Sequence, residues 1–165
     1  MTPTFAPDPR IEQVAEAYAL DAVDFAKSAF RLKLDWSDES VRHVETMLAE
    51  LHNQVESAQP DEEKIFTFGK MFGSYVGEVY RKRHGGVWGM VTLDGQTFPG
   101  MQAPSGTNFW PWGRAQNRIV NGPEDNIWHY YQILVGKGRP ATASPALAPP
   151  EQQQEKPWWK RLFGG

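Results

Sequence analysis

Apolar residues recur at three- and four-residue steps through most of the first 85 positions, the spacing of helices that bury one face. Asp8 ahead of Pro9 pairs a capping side chain with a proline at the first helical position, where its missing N–H costs nothing. The stripe Ile11, Val14, Ala15, Tyr18, Ala22, Phe25 and Ala29 then predicts a first helix to about Phe30 with that face inward. After a short apolar stretch through Leu32 and Leu34, Ser37 is the next cap, with Asp38 and Glu39 well placed against the positive end of a helix dipole. Val41, Val44, Leu48, Leu51 and Val55 give this second helix its inward face. Pro60-Asp61-Glu62-Glu63 repeats the signal and opens a third helix, which Gly85-Gly86 ends.

Beyond that point the pattern changes. Val87 to Leu93, the pair Asp94-Gly95, and Gln96 to Phe98 predict a β-hairpin with a type I′ turn, closed by Pro99-Gly100. A Pro-Ser-Gly loop leads into Asn108-Phe109-Trp110-Pro111-Trp112 and a short helix to Val120, stopped by Asn121-Gly122. Pro123-Glu124-Asp125 opens a last helix through Ile127, Trp128, Tyr131 and Leu134. The expected fold is α+β: three N-terminal helices, a β-hairpin and two C-terminal helices in one globular domain over 1–135. Prolines 140, 145, 149, 150 and 157, among alanine, glutamine and serine, mark 136–157 as a flexible linker in a disordered tail. The tail ends in an aromatic and basic motif over 158–165.

Composition narrows the function classes. A net charge of -3 gives no general attraction to phosphate backbones, so nucleic acid is not an expected partner. The absence of cysteine excludes a disulfide framework, a thiolate nucleophile and every cysteine-ligated metal site. His43, His52, His84 and His129 do not stand at the spacing of a helical metal pair, and no P-loop, G-x-G-x-x-G or G-x-S-x-G motif occurs, so no cofactor and no metal are expected. The N-terminal residues lack a basic stretch followed by an apolar one, and no run approaches the roughly 18 apolar residues of a spanning helix, which makes the cytoplasm the expected location.

Three stretches together resemble an uncharacterised family of bacterial domains known only as a domain of unknown function. They are Leu34-Asp35-Trp36-Ser37-Asp38-Glu39-Ser40-Val41, Gly73-Ser74-Tyr75-Val76-Gly77-Glu78-Val79 followed by Gly86-Val87-Trp88, and Asn121-Gly122-Pro123-Glu124-Asp125. The resemblance covers about residues 32–135 and implies an α+β bacterial domain without an assigned activity.

Several residues are candidates for function. Gly69, Gly73 and Gly77 form a bare strip along the third helix, either for backbone-close packing or as a groove for a partner. Glu78, with Arg81 one turn on and His84 near the helix end, reads as a structural ion pair, as a recognition site or as the acid of a small enzyme. Trp88 fits a core position or a contact surface. Trp110 and Trp112, two rings separated by one proline and followed by Arg114, are expected to form an exposed contact loop. In the tail, Trp158, Trp159, Leu162 and Phe163 oppose Lys160 and Arg161, which suits an anionic membrane surface at the inner face of the membrane, a partner's groove, or a fold-back onto the domain. The expected function is a non-enzymatic protein-binding module, such as an immunity or adaptor protein, with the tail as a second attachment. The alternatives are a peripheral membrane protein held by its tail, and a small enzyme using Glu78 with Arg81 or His84.

Overall fold

The structure is a computed structural model describing residues 2–57 and 61–137. It is α+β, with a four-stranded antiparallel sheet and five α-helices. Strand β1 (Thr4–Pro7) leads into α1 (Pro9–Phe25), which continues through a π-helical turn, Ala26–Phe30. A 3-10 turn, Asp38–Ser40, precedes α2 (Val41–Ser57), and α3 (Glu62–His84) follows. Strands β2 (Val87–Leu93), β3 (Gln96–Gln102) and β4 (Asn108–Phe109) come next, then α4 (Pro111–Asn121), a second 3-10 turn (Pro123–Asp125) and α5 (Ile127–Lys137).

The caps act as their chemistry demands. Asp8 accepts from the Arg10 amide at 2.9 Å, Ser37 Oγ from the Ser40 amide at 3.1 Å, and Asp61 from the Glu63 amide at 3.0 Å. Gly85 ends α3 with φ 90°, a left-handed conformation that glycine adopts without a side-chain clash. Asp94 and Gly95 have φ of 53° and 78°, the two positive values of a type I′ turn, and the strands pair in register from Leu93↔Gln96 to Val87↔Gln102.

Four differences from the sequence reading have physical causes. The buried face of the first helix is Ala15, Ala19, Ala22 and Ala26, whereas Val14 is 39% exposed and Ala29 lies outside. Close packing of α1 on α3 selects the small side chains and leaves the larger Val14 to solvent. Strand β3 runs on through Pro99 and Gly100. In the register fixed by the two-residue turn, Pro99 stands opposite Met90 where its absent N–H would point away from β2, and β4 pairs only with Met101 and Gln102, so no ladder bond is lost. Strand β1 pairs with β2 from Thr4↔Thr92 to Pro7↔Gly89, a contact between distant segments that periodicity does not register. The last helix starts at Ile127 because Asn126 breaks away from Pro123–Asp125 and caps it, its Oδ1 accepting from the His129 amide at 2.8 Å.

Helix α3 is the centre of the core. It packs chiefly against α1 and α4, and its C-terminal half lies on the sheet, where Trp88 and Met101 meet Gly77 and Tyr80 meets the Phe109 ring edge-on at 5.1 Å between centroids. A single apolar cluster links all five helices with β2, β3 and β4. The glycine strip serves the packing reading. A Cβ on Gly69 would meet the Gln116 side chain, and one on Gly77 would meet the Trp88 ring and the Met101 sulfur. At Gly73 every close neighbour is backbone, namely the Pro111 carbonyl at 2.5 and 2.7 Å and Trp112 Cα at 2.7 Å.

Backbone yields less readily than a flexible side chain, so the substitution Gly73→Ala is expected to cost about 3 kcal/mol in urea unfolding despite a helix-propensity gain of about 1 kcal/mol. Gly69→Ala, opposed only by the movable Gln116 side chain, should cost clearly less, and the reverse order would refute the account of this seam.

Candidate functional site

Glu78 is 1% exposed, inside the core beside the sheet. Its two oxygens take a bidentate pair from Arg81, Nε at 2.7 Å and Nη2 at 2.9 Å, and Oε2 also accepts from Trp88 Nε1 at 2.9 Å. The Glu78 carboxylate raises the pKa of Arg81, locking its charge. Glu78, Arg81 and Trp88 thus form one structural network that fastens the end of α3 to β2, and His84 turns to another partner. In this arrangement the Glu78 carboxylate faces the core rather than solvent.

The expected exposed loop at Trp110 and Trp112 is instead the beginning of α4, folded onto the domain. Pro111 at the first helical position lets the chain turn, and the close approach of its carbonyl to Gly73 sends the two rings apart. Trp110 is 6% exposed and lies beside Gly100 of β3. Trp112 is half-buried, donates from Nε1 to Ser74 Oγ at 2.7 Å, and has the Lys70 ammonium 5.5 Å from its ring centroid. Arg114 is buried, paired with Asp125 at 3.3 Å and set over the Tyr130 ring. These residues hold α4 in place, and a cavity of about 220 Å³ lies between Phe66, Phe98 and Trp112.

A second cluster joins residues far apart in sequence. His84 Nε2 lies 3.0 Å from Asp38 Oδ1, and the Tyr131 hydroxyl donates to the same oxygen at 2.5 Å. The loop before Asp38 is pinned as well. Tyr75 Oη accepts from the Trp36 amide at 2.8 Å and shares a 2.7 Å bond with Ser40 Oγ, while Arg83 Nε donates to the Trp36 carbonyl at 2.9 Å. Burial pulls the Asp38 carboxyl upward, but the hydrogen bonds from Tyr131 and His84 and the charges of His84 and Arg83 outweigh it, so its pKa falls below the ordinary carboxylate value. Burial, then the bond to Asp38, raises the pKa of Tyr131 and keeps its proton as the donor.

This cluster borders an open groove of about 570 Å³ along the outer face of α5. Trp128, Ile133 and Val135, all half-buried, give it apolar lining beside exposed His129 and Gln132, while Asp38 and exposed Glu39 form an acidic rim. Arg42 stacks on Trp128, 5.3 Å from the ring centroid. Sequence reasoning took Asp38 and Glu39 only as dipole partners of a cap, and His84, Asp38 and Tyr131 share no local motif. The one available signal was the alternation of large apolar residues all round the last helix, which leaves some of them outside any single buried face. No group of three or more His, Asp or Glu among the described residues is placed to hold a metal ion, and no helix of the described residues is long and apolar enough to cross a membrane. The linker and the motif Trp158, Trp159, Lys160, Arg161, Leu162 and Phe163 lie outside the described residues beyond Lys137.

Two measurements check this division between structural and exposed groups. Glu78→Ala strands the buried Trp88 N–H and should cost about 3 kcal/mol, with Glu78→Gln costing about half of that because an acceptor remains. Asp38 has a depressed folded pKa, so its stabilising contribution is complete above the unfolded value near 3.8 and is lost as pH falls through the lower folded value. The stability gap between the wild type and Asp38→Asn, followed by urea unfolding, should therefore be present at about pH 6 and shrink by about pH 2. A gap independent of pH would remove the Asp38 network from the account.

No family model matches the chain, and no curated protein and no solved structure matches it, so what the groove does is read from its own residues.

Proposed function

We propose that this protein is a non-enzymatic protein-binding module whose contact surface is the α5 groove, and that it takes a peptide segment of a partner combining aromatic or aliphatic side chains with basic ones. The observation that carries this reading is the join of apolar residues, Trp128, Ile133 and Val135, to an acidic rim, Asp38 and Glu39, on elements tied together by part-buried bonds. A site of that size lies in the range of about 300–1,000 Å³ typical of ligand clefts. The apolar lining supplies burial for large anchors, and the rim selects positive charge and disfavours acidic segments. An immunity or adaptor role is compatible with such a surface. Asp38 has both of its close partners within the fold, His84 and Tyr131, which suits it to hold the rim in shape rather than to move protons in turnover.

A photo-crosslinking amino acid placed at exposed Gln132 in the native host should give a discrete adduct that Glu39→Lys abolishes and that the same probe at exposed Leu20 of α1 does not give. An adduct formed equally from Gln132 and Leu20, or one indifferent to Glu39→Lys, would count against the groove as the contact surface.

A further inference from the structure

We infer that the groove is occupied in the free protein by the chain's own C-terminal segment, residues 158–163, which thereby competes with an external partner; this rests on the peptide-binding reading above. Gly136 borders the groove, α5 ends at Lys137, and 28 residues of chain, 138–165, continue from that end. About 20 residues separate Lys137 from Trp158, and a chain of that length can span up to about 70 Å when extended. The groove runs along α5 from Trp128 to Gly136, a rise of about 12 Å at 1.5 Å per residue. The motif can therefore reach the whole groove without strain, at an effective concentration on the order of millimolar.

Chemistry then matches segment to site. Trp158, Trp159, Leu162 and Phe163 are large apolar anchors for the lining of Trp128, Ile133 and Val135. Lys160 and Arg161 stand between those anchors and oppose the acidic rim of Asp38 and Glu39. Charge divides the chain the same way. Residues 138–165 hold four basic and two acidic side chains, a net of +2, which leaves -5 of the chain's -3 on residues 1–137. Attraction between the two parts thus favours an intramolecular pairing over the tail's release into water. A partner must displace the segment, so its apparent affinity is lowered by the fraction of molecules in which the groove is filled.

The test uses a synthetic peptide of residues 151–165 titrated calorimetrically into the full chain and into a chain ending at Pro150, which retains every described residue and hence the entire described core. The truncated chain should bind the peptide at least tenfold more tightly than the full chain, and Glu39→Lys in the truncated chain should weaken that binding by a similar factor. Equal affinity for both chains would overturn the intramolecular occupancy while leaving the groove as a peptide site. No binding to the truncated chain would overturn the segment as a ligand, with the groove itself still judged by crosslinking at Gln132. Because the chain has no cysteine, a Gln132→Cys, Leu162→Cys pair gives a second readout in the full chain. The expected product is a monomer with an internal disulfide that forms at least tenfold more slowly with Trp158→Ser and Trp159→Ser added. A rate unaffected by those serines, or a disulfide-linked dimer as the main product, would also overturn the proposal.

Discussion

The contact of the α3 backbone with the α4 backbone at Gly73 sets the position of most of what surrounds it. With the Pro111 carbonyl only 2.5 Å from where a Cβ would stand, α4 lies closer to α3 than any side chain would permit. That closeness turns Trp112 onto Ser74 and Trp110 onto β3, and it brings the buried face of α4 within reach of α2 and α5. The glycines at 69 and 77 continue the same constraint in both directions, one toward Gln116 and one toward Trp88. Each glycine costs helix propensity of about 1 kcal/mol relative to alanine, and the packing along the seam offsets it.

Polar groups inside this packing fix its register. Arg118 makes a bidentate contact with Glu45 of α2, and Glu45 Oε1 also accepts from the Ile127 amide at 2.8 Å, so one carboxylate joins α2, α4 and the start of α5. Arg114 with Asp125, and His52 Nδ1 with the Ile119 carbonyl, fasten α4 to the second 3-10 turn and to α2. Such pairs add little net stability compared with apolar groups of equal shape, but losing one partner strands a buried charge. A sliding or rotation of α4 would strand two arginines at once, which makes the observed position of α5, and with it the groove, strongly determined.

How much was legible follows from which interactions are local. The caps at Asp8, Ser37 and Asp61, the end of α3 at Gly85 and the Asp94-Gly95 turn depend on neighbours a few residues away, and they are readable from the chain. The seam was half-readable: three glycines at four-residue spacing announce a close approach without saying to what. Trp110 and Trp112 misled because burying two rings around a proline looks costly until Gly73 is known to admit the Pro111 carbonyl between them. The Asp38 cluster and β1 were not readable at all, because they bring together positions 38, 84 and 131 in one case and positions 4–7 with 89–92 in the other.

The same division separates α5 from the residues that first suggest binding. Glu78, Arg114 and Trp88 are buried, and each bonds to a partner inside the fold. The α5 face is different in kind. Its inner side, Tyr130, Leu134 and Ile127, is committed to the core, while Trp128 and Val135 at its flank and Ile133 stay half-buried, near an acidic rim that Tyr131 and His84 hold in place. A surface that is fixed from beneath loses little entropy when it is covered, and the proposed peptide contact rests on that property.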